Sequence, residues 1–248
     1  MENFKQKMKV FFTYVWECIK CSFSPGLMYV TASALISMLV LKEGKAFSEQ
    51  ITACIIGIIL SLGYNALFAW GFGGSNYEML VSGNMKRISA DKYGTSYKIY
   101  SHSYFKEYRP WKGFAMGALA CIITVIFVII FGANQAKFDA AFVDGETLVN
   151  NKALGIVFLV GLLCFGWPIL PFVCARQAGY IVSYYLAIPV AILPILVFGG
   201  CYIAGAYAKR NKAIRAQEAA DRAAAATASK PKKINYGGLP GTKPRKRK

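Results

Sequence analysis

The sequence predicts an all-α, polytopic helical membrane protein with about five hydrophobic membrane segments, interfacial amphipathic helices and a disordered basic C-terminal tail. Three observations carry this expectation. Residues 153 to 208 form a 56-residue stretch whose one charge is Arg176, and roughly 20 apolar residues in helix cross a bilayer core of about 30 Å. Further runs free of charge lie at 26–41, 51–74 and 113–132. The charges crowd between these runs, and at 17% of the chain they fall short of the quarter expected of a soluble domain.

The first element is read over residues 3–21, where Phe4, Met8, Phe11, Val15 and Cys18 recur at helical spacing with Lys5 and Lys9 beside them. That pattern predicts an amphipathic helix on the membrane surface, with packing on the protein's own cytosolic face as the alternative. Ser24-Pro25 is expected to break it, because the residue before a proline is pushed out of the helical region. Residues 1–24 thus form one segment. Residues 25–74 follow as a transmembrane hairpin, its spans separated by the short polar loop of Lys42, Glu43, Lys45 and Glu49. Asn65 is the most polar member of the second span. No cleavable leader is expected, since Glu17 and Lys20 follow only seven uncharged residues and no small-residue cleavage site appears.

Residues 75–112 are the largest polar insertion. Tyr93, Tyr97, Tyr100, Tyr104, Tyr108 and Trp111 are spaced by four, three, four, four and three. One helix would carry all of them on one face, with Lys98 and Arg109 in a neighbouring row and Pro110 ending it. Tyr and Trp favour the headgroup level because each ring is apolar with a polar tip, so a helix lying parallel to the membrane is the economical interpretation. Basic residues interleaved with aromatics also suit single-stranded nucleic acid, although no RNA-recognition motif accompanies them here.

Residues 113–208 hold the remaining segments. Gly113 and Gly117 have the spacing that lets helix backbones approach closely, which points to internal packing ahead of a dimer. Residues 133–152 form the one connecting loop with net negative charge. Beyond it, Pro168, Pro171, Pro189 and Pro194 interrupt the long uncharged stretch. In lipid such a helix survives where its neighbours satisfy the freed carbonyls. Arg176 is either an interfacial anchor at a helix end or a cation facing a cavity that takes an anion. From residue 209 the chain turns alanine-rich and polar. After Pro231 it reads as disordered and basic, ending in Lys243, Pro244, Arg245, Lys246, Arg247 and Lys248.

Topology counted from Lys and Arg does not close with five full spans. With the N-terminus in the cytosol every loop is placed well except the tail, which carries 13 of the 29 basic residues and would be exported. A re-entrant turn at Trp167 to Pro171 would leave four full spans and return the tail to the side of residues 75–112.

Function is less legible. Gly-rich phosphate loops, HExxH and GxSxG are missing, and every one of the 12 acids lies outside the uncharged runs, so the sequence argues against an enzyme and calls for no cofactor. A single CxxC, Cys18 and Cys21, with one histidine, His102, is too few ligands for a zinc site. The expectation is a non-catalytic accessory or interaction subunit in the bilayer. Lys98, Arg109, Lys112, Lys243, Arg245, Lys246, Arg247 and Lys248 would contact anionic lipid headgroups, or ribosomal RNA. Other membrane subunits or further copies of the chain are candidate partners. A small-solute transporter or channel component is the alternative, with Asn65, Arg176, Pro168 and Pro171 as the candidate transport site. The absence of eukaryotic sorting signals suggests a bacterial plasma membrane.

Overall fold

The computed structural model describes residues 2–40, 46–94, 104–144 and 152–228, which are mostly helical with no strand among them. Among the described residues seven helices follow in order: α1 Glu2–Val40, α2 Phe47–Lys92, α3 Pro110–Ala133, α4 Gln135–Asp144, α5 Lys152–Phe165, α6 Leu170–Gln177 and α7 Ala187–Ala228. Short 3-10 turns at Tyr104–Lys106 and Tyr184–Leu186 precede α3 and α7. The chain divides into a unit Met1–Lys209 and a second unit, Arg210–Lys248. Of the second unit the described part is the solvent-facing end of α7. The first unit holds the core.

Among the described residues four helices are long and apolar enough to cross a membrane: Phe4–Val40, Phe47–Lys92, Pro110–Ala133 and Tyr184–Ala226. Only 17% of the most apolar window of α2 is buried inside the protein, and Ile55, Ile59, Leu60 and Leu67 point outward. An apolar surface of that extent is stable against lipid rather than water. At 1.5 Å per residue α2 is about 69 Å long, more than twice the hydrocarbon thickness, so its polar C-terminal half continues the span beyond the membrane.

The remaining apolar segment is the pair α5 and α6, which meet at an angle of 117°. Contacts along both limbs give its direction. Phe158 near the start of α5 packs on Phe131 and Phe138 at the far end of α3 and in α4, and Phe165 at its end stacks on Phe127. After the turn α6 runs back, and Arg176 at its end meets Asp139 of α4 while Tyr180 reaches Phe47 at the start of α2. Both ends of the element therefore lie at one end of the bundle, the arrangement of a re-entrant turn. With four candidate spans around it, the residues before α3 and Lys209 of α7 come to the same end of the bundle, where Lys209 Nζ donates to Glu78 at 2.6 Å.

Re-entrant backbone survives in a bilayer only when protein buries it and partners its polar groups. Residues 166–170 are all buried. The carbonyl of Leu162, freed at the end of α5, accepts from Gly166 N–H at 3.1 Å and from the hydroxyls of Ser33 and Ser37 on α1 at 3.2 and 3.0 Å. Ser33 Oγ in turn accepts from Trp167 N–H at 3.2 Å. The indole of Trp167 stacks on Tyr29 with centroids 5.3 Å apart. Pro171 is the second residue of α6, where a missing N–H costs nothing.

Two expectations are corrected. Ser24-Pro25 does not end a helix, since α1 runs unbroken from Glu2 to Val40 with Pro25 inside it. Packing on either side holds the backbone: Ser22 donates to Met116 O at 2.9 Å, and Tyr29 is stacked on Trp167. The buried face of that helix is accordingly Tyr14, Cys18, Ser22, Tyr29, Ser33, Ile36 and Val40, whereas Phe4 and Phe11 of the expected stripe are exposed. Nor does a single helix carry the aromatic series. α2 continues to Lys92, Tyr93 and Gly94 (φ 64°) turn the chain, Tyr104–Lys106 is a 3-10 turn, and Pro110 opens α3 instead of closing a helix. Gly113 and Gly117 pack internally, against Tyr202 and against Ile195 and Phe198 of α7.

Candidate functional site

Polar chemistry gathers at the two ends of the bundle. At the end shared by the start of α3 and Lys209, cations and aromatic rings interleave. The guanidinium of Arg109 lies 5.0 Å from the Tyr14 ring centroid and 5.2 Å from that of Tyr104, and it donates to Tyr104 Oη at 2.7 Å. Arg87 on α2 pairs with buried Glu107 at 2.5 Å. Cation–π contacts and charged hydrogen bonds of this kind fix the turn before α3 onto α1 and α2.

Lys112, expected to face an anionic partner, is instead almost wholly buried. Its ammonium donates to the backbone carbonyls of Phe105 and Glu107 at 2.6 and 3.1 Å, so it clamps the turn and is occupied. A buried cation is retained only when such donors are satisfied. Tyr108 stacks on Tyr202 at 5.3 Å, and burial pushes its phenol above the ordinary value. Asn76 accepts from Tyr108 N–H at 2.9 Å and donates through Nδ2 to Tyr202 Oη at 2.9 Å. Of the described members of the aromatic series Tyr93 and Trp111 are well exposed, and Tyr104 and Tyr108 are half-buried in protein contacts. Tyr97, Tyr100 and Lys98 lie outside the described residues, as do Lys243, Arg245, Lys246, Arg247 and Lys248.

At the opposite end Arg176 closes α6. Its Nε donates to Asp139 Oδ1 at 2.9 Å and a terminal nitrogen donates to Oδ2 at 2.5 Å, a bidentate pair. Another terminal nitrogen donates to Val182 O at 2.6 Å. Tyr184 Oη donates to the same carboxylate at 2.9 Å, and Gln135 bridges Val182 O and Tyr184 N–H. Asp139, Arg176 and Tyr184 line a cleft of about 240 Å³. Arg176 ends α6 and borders this cleft, with its charge matched by Asp139. Asp139 and Tyr184 had no local signature; the one hint was the net negative charge of residues 133–152.

Asn65 stands apart from the Arg176 end of the bundle. Pro168 is buried in the turn and Pro171 sits one step beyond it. Asn65 is 18 residues along α2 from Phe47, the neighbour of Tyr180, which is about 27 Å of helix. Asn65 donates to Ser61 O at 3.0 Å within its own helix.

Asp139→Asn tests what the pair contributes. It keeps the shape and removes the charge that three donors share, so a loss of roughly 1–3 kcal/mol is expected, read as a lower unfolding temperature in detergent. An unchanged midpoint would reduce the pair to a surface contact of negligible worth. Comparison with known protein families, curated proteins and solved structures returns no match to this chain.

Proposed function

We propose that the protein is a non-catalytic accessory or interaction subunit of a membrane, turned with its basic end to the cytosol and docking there on an anionic surface. One observation carries this: the charge asymmetry that the re-entrant topology creates. The sequence segments joined to the Lys209 end, residues 1–24, 75–112 and 209–248, hold 24 basic and 7 acidic residues. Those joined to the other end hold 5 and 5. All of the net charge of +17 therefore belongs to one side, which the bias of Lys and Arg places in the cytosol. Each Lys or Arg near an anionic leaflet gains about 1 kcal/mol, and that attraction fades within a Debye length. With Lys112 occupied and Arg109 engaged by Tyr14 and Tyr104, the basic residues of the tail are the main contributors.

The test is binding of the purified protein to anionic vesicles, neutral vesicles and ribosomes across a salt series, with and without residues 230–248. Anionic vesicles are expected to be bound, and loss of the tail should weaken this markedly while insertion is unaffected. Preferential binding to ribosomes with a steeper salt dependence would make RNA the partner. Equal binding by the truncated chain would leave the tail a solubilising appendage.

A second reading, a small-solute transporter or channel component, draws on the re-entrant turn, since transporters place substrate sites beside broken helices near the midplane. Uptake by the purified protein in liposomes separates the two.

A further inference from the structure

We infer that the groove beneath the re-entrant turn is a binding site for one acyl chain of an anionic phospholipid, taken from the leaflet on the basic side. The pair α5 and α6 fills the space beside α1 and α3 from the neutral end of the bundle down to its turn, and the groove begins where that element stops. Its volume is about 310 Å³, and its walls are Ile19, Phe23, Gly26 and Leu27 of α1 and Leu119 and Ile123 of α3. Phe165, the last residue of α5, closes the inner end. In effect the re-entrant element supplies half a helix, and the half below it is left for lipid.

Length and chemistry select the occupant. From Ile19 to Val30, both lining the groove, α1 rises about 16 Å, close to half of a hydrocarbon core of about 30 Å. A groove one leaflet deep and closed at the midplane admits an acyl chain but not a spanning helix of a partner or a second copy. The one polar side chain in the wall, Ser22, already donates to Met116 O, so the lining asks for no polar ligand. At the outer end stands Lys20, half exposed, 3.4 Å from Glu17 and 5.5 Å from the Trp16 ring. Lys20, Phe23 and Leu27 follow at three and four residues and so share a stripe. The side chain of Lys20 tilts toward the helix N-terminus, which is the basic end and the level of a phosphate group.

The headgroup preference rests on the charge reading above, whereas the chain site does not, and the test keeps them apart. The full-length protein is placed in bilayers of equal phosphatidylglycerol and phosphatidylcholine, extracted in mild detergent at high salt, and its retained lipid identified by native mass spectrometry. High salt suppresses docking by the tail, so retention reports the groove. The wild type is expected to keep one phosphatidylglycerol. Gly26→Leu is expected to lower retention about tenfold, the loss of roughly two methylenes of burial. A Cβ on Gly26 would meet only Ala120 O, at 4.0 Å, so the new side chain enters the groove without moving backbone. Ala120→Leu blocks it from the other wall with the same result. Lys20→Gln should retain lipid but lose the preference for phosphatidylglycerol. Undiminished retention by either folded blocking variant, or a wild type that keeps no phospholipid, overturns the chain site. An unchanged preference in Lys20→Gln, a change at a half-exposed side chain, overturns the headgroup assignment even if both blocking variants fail to fold.

Discussion

Gly73→Ala and Gly205→Ala are each expected to force α2 and α7 apart and to lower stability by roughly 1–3 kcal/mol or more, the cost of overpacking a close contact. A Cβ at Gly73 would overlap the carbonyl of Tyr202, and one at Gly205 would overlap the carbonyl of Trp70. The obstacle is backbone in both cases, so no rotamer change relieves it, and the helices must separate along the whole crossing. Lipid offers no hydrophobic penalty that would squeeze them together again, because association there depends on close van der Waals packing. The damage should spread to the basic end, since Tyr202, displaced by the Gly73 methyl, carries the stack with Tyr108 and the hydrogen bond from Asn76. Gly200→Ala is the internal control. It lies on the same helix, is exposed, and has nothing within 4 Å of its Cβ position, so it should be neutral or stabilising by up to about 1 kcal/mol. Unfolding in detergent that ranks all three alike would remove the backbone crossing from the account.

Trp167→Ala is expected to cost about 3–5 kcal/mol, the range for truncating a buried aromatic side chain, and to release the re-entrant turn. Trp167 is fully buried at the tip and stacked on Tyr29. Its removal opens a void where α1 and the turn meet, and it loosens the backbone whose N–H Ser33 receives. Trp167→Phe should be far milder. The ring stack survives, and the indole N–H that is lost meets no acceptor among the described residues. The two variants separate packing from polarity, and accessibility of a cysteine placed at Pro168 reports the turn directly. A probe that stays protected in Trp167→Ala would mean that Ser33 and Ser37 hold the element without the ring.

These two sites show where the sequence was and was not informative. Hydropathy is a local sum, so the apolar runs at 51–74 and 113–132 announced α2 and α3 unaided. Turn residues Pro168 and Pro171 announced a break between 165 and 170. Pro25 announced a break that does not exist, because a proline's effect depends on the packing around it. The series from Tyr93 to Trp111 looked helical since its spacing is helical, yet Gly94 at positive φ and Pro110 at a helix start divide it. Lys112 looked like a surface cation because charge near an apolar run usually is one; the carbonyls that bury it are set by the fold of residues 105–107.

By itself the sequence determined that this chain is helical, lives in a bilayer, and is basic outside it, because each of those properties is a sum over neighbouring residues. Only the tertiary structure decided that α5 and α6 turn back and that Arg176 belongs to Asp139. The physical reason is that a re-entrant turn exists only when other protein groups partner its polar atoms, and here the hydroxyls that donate to Leu162 O, on Ser33 and Ser37, come from α1, 129 and 125 positions away.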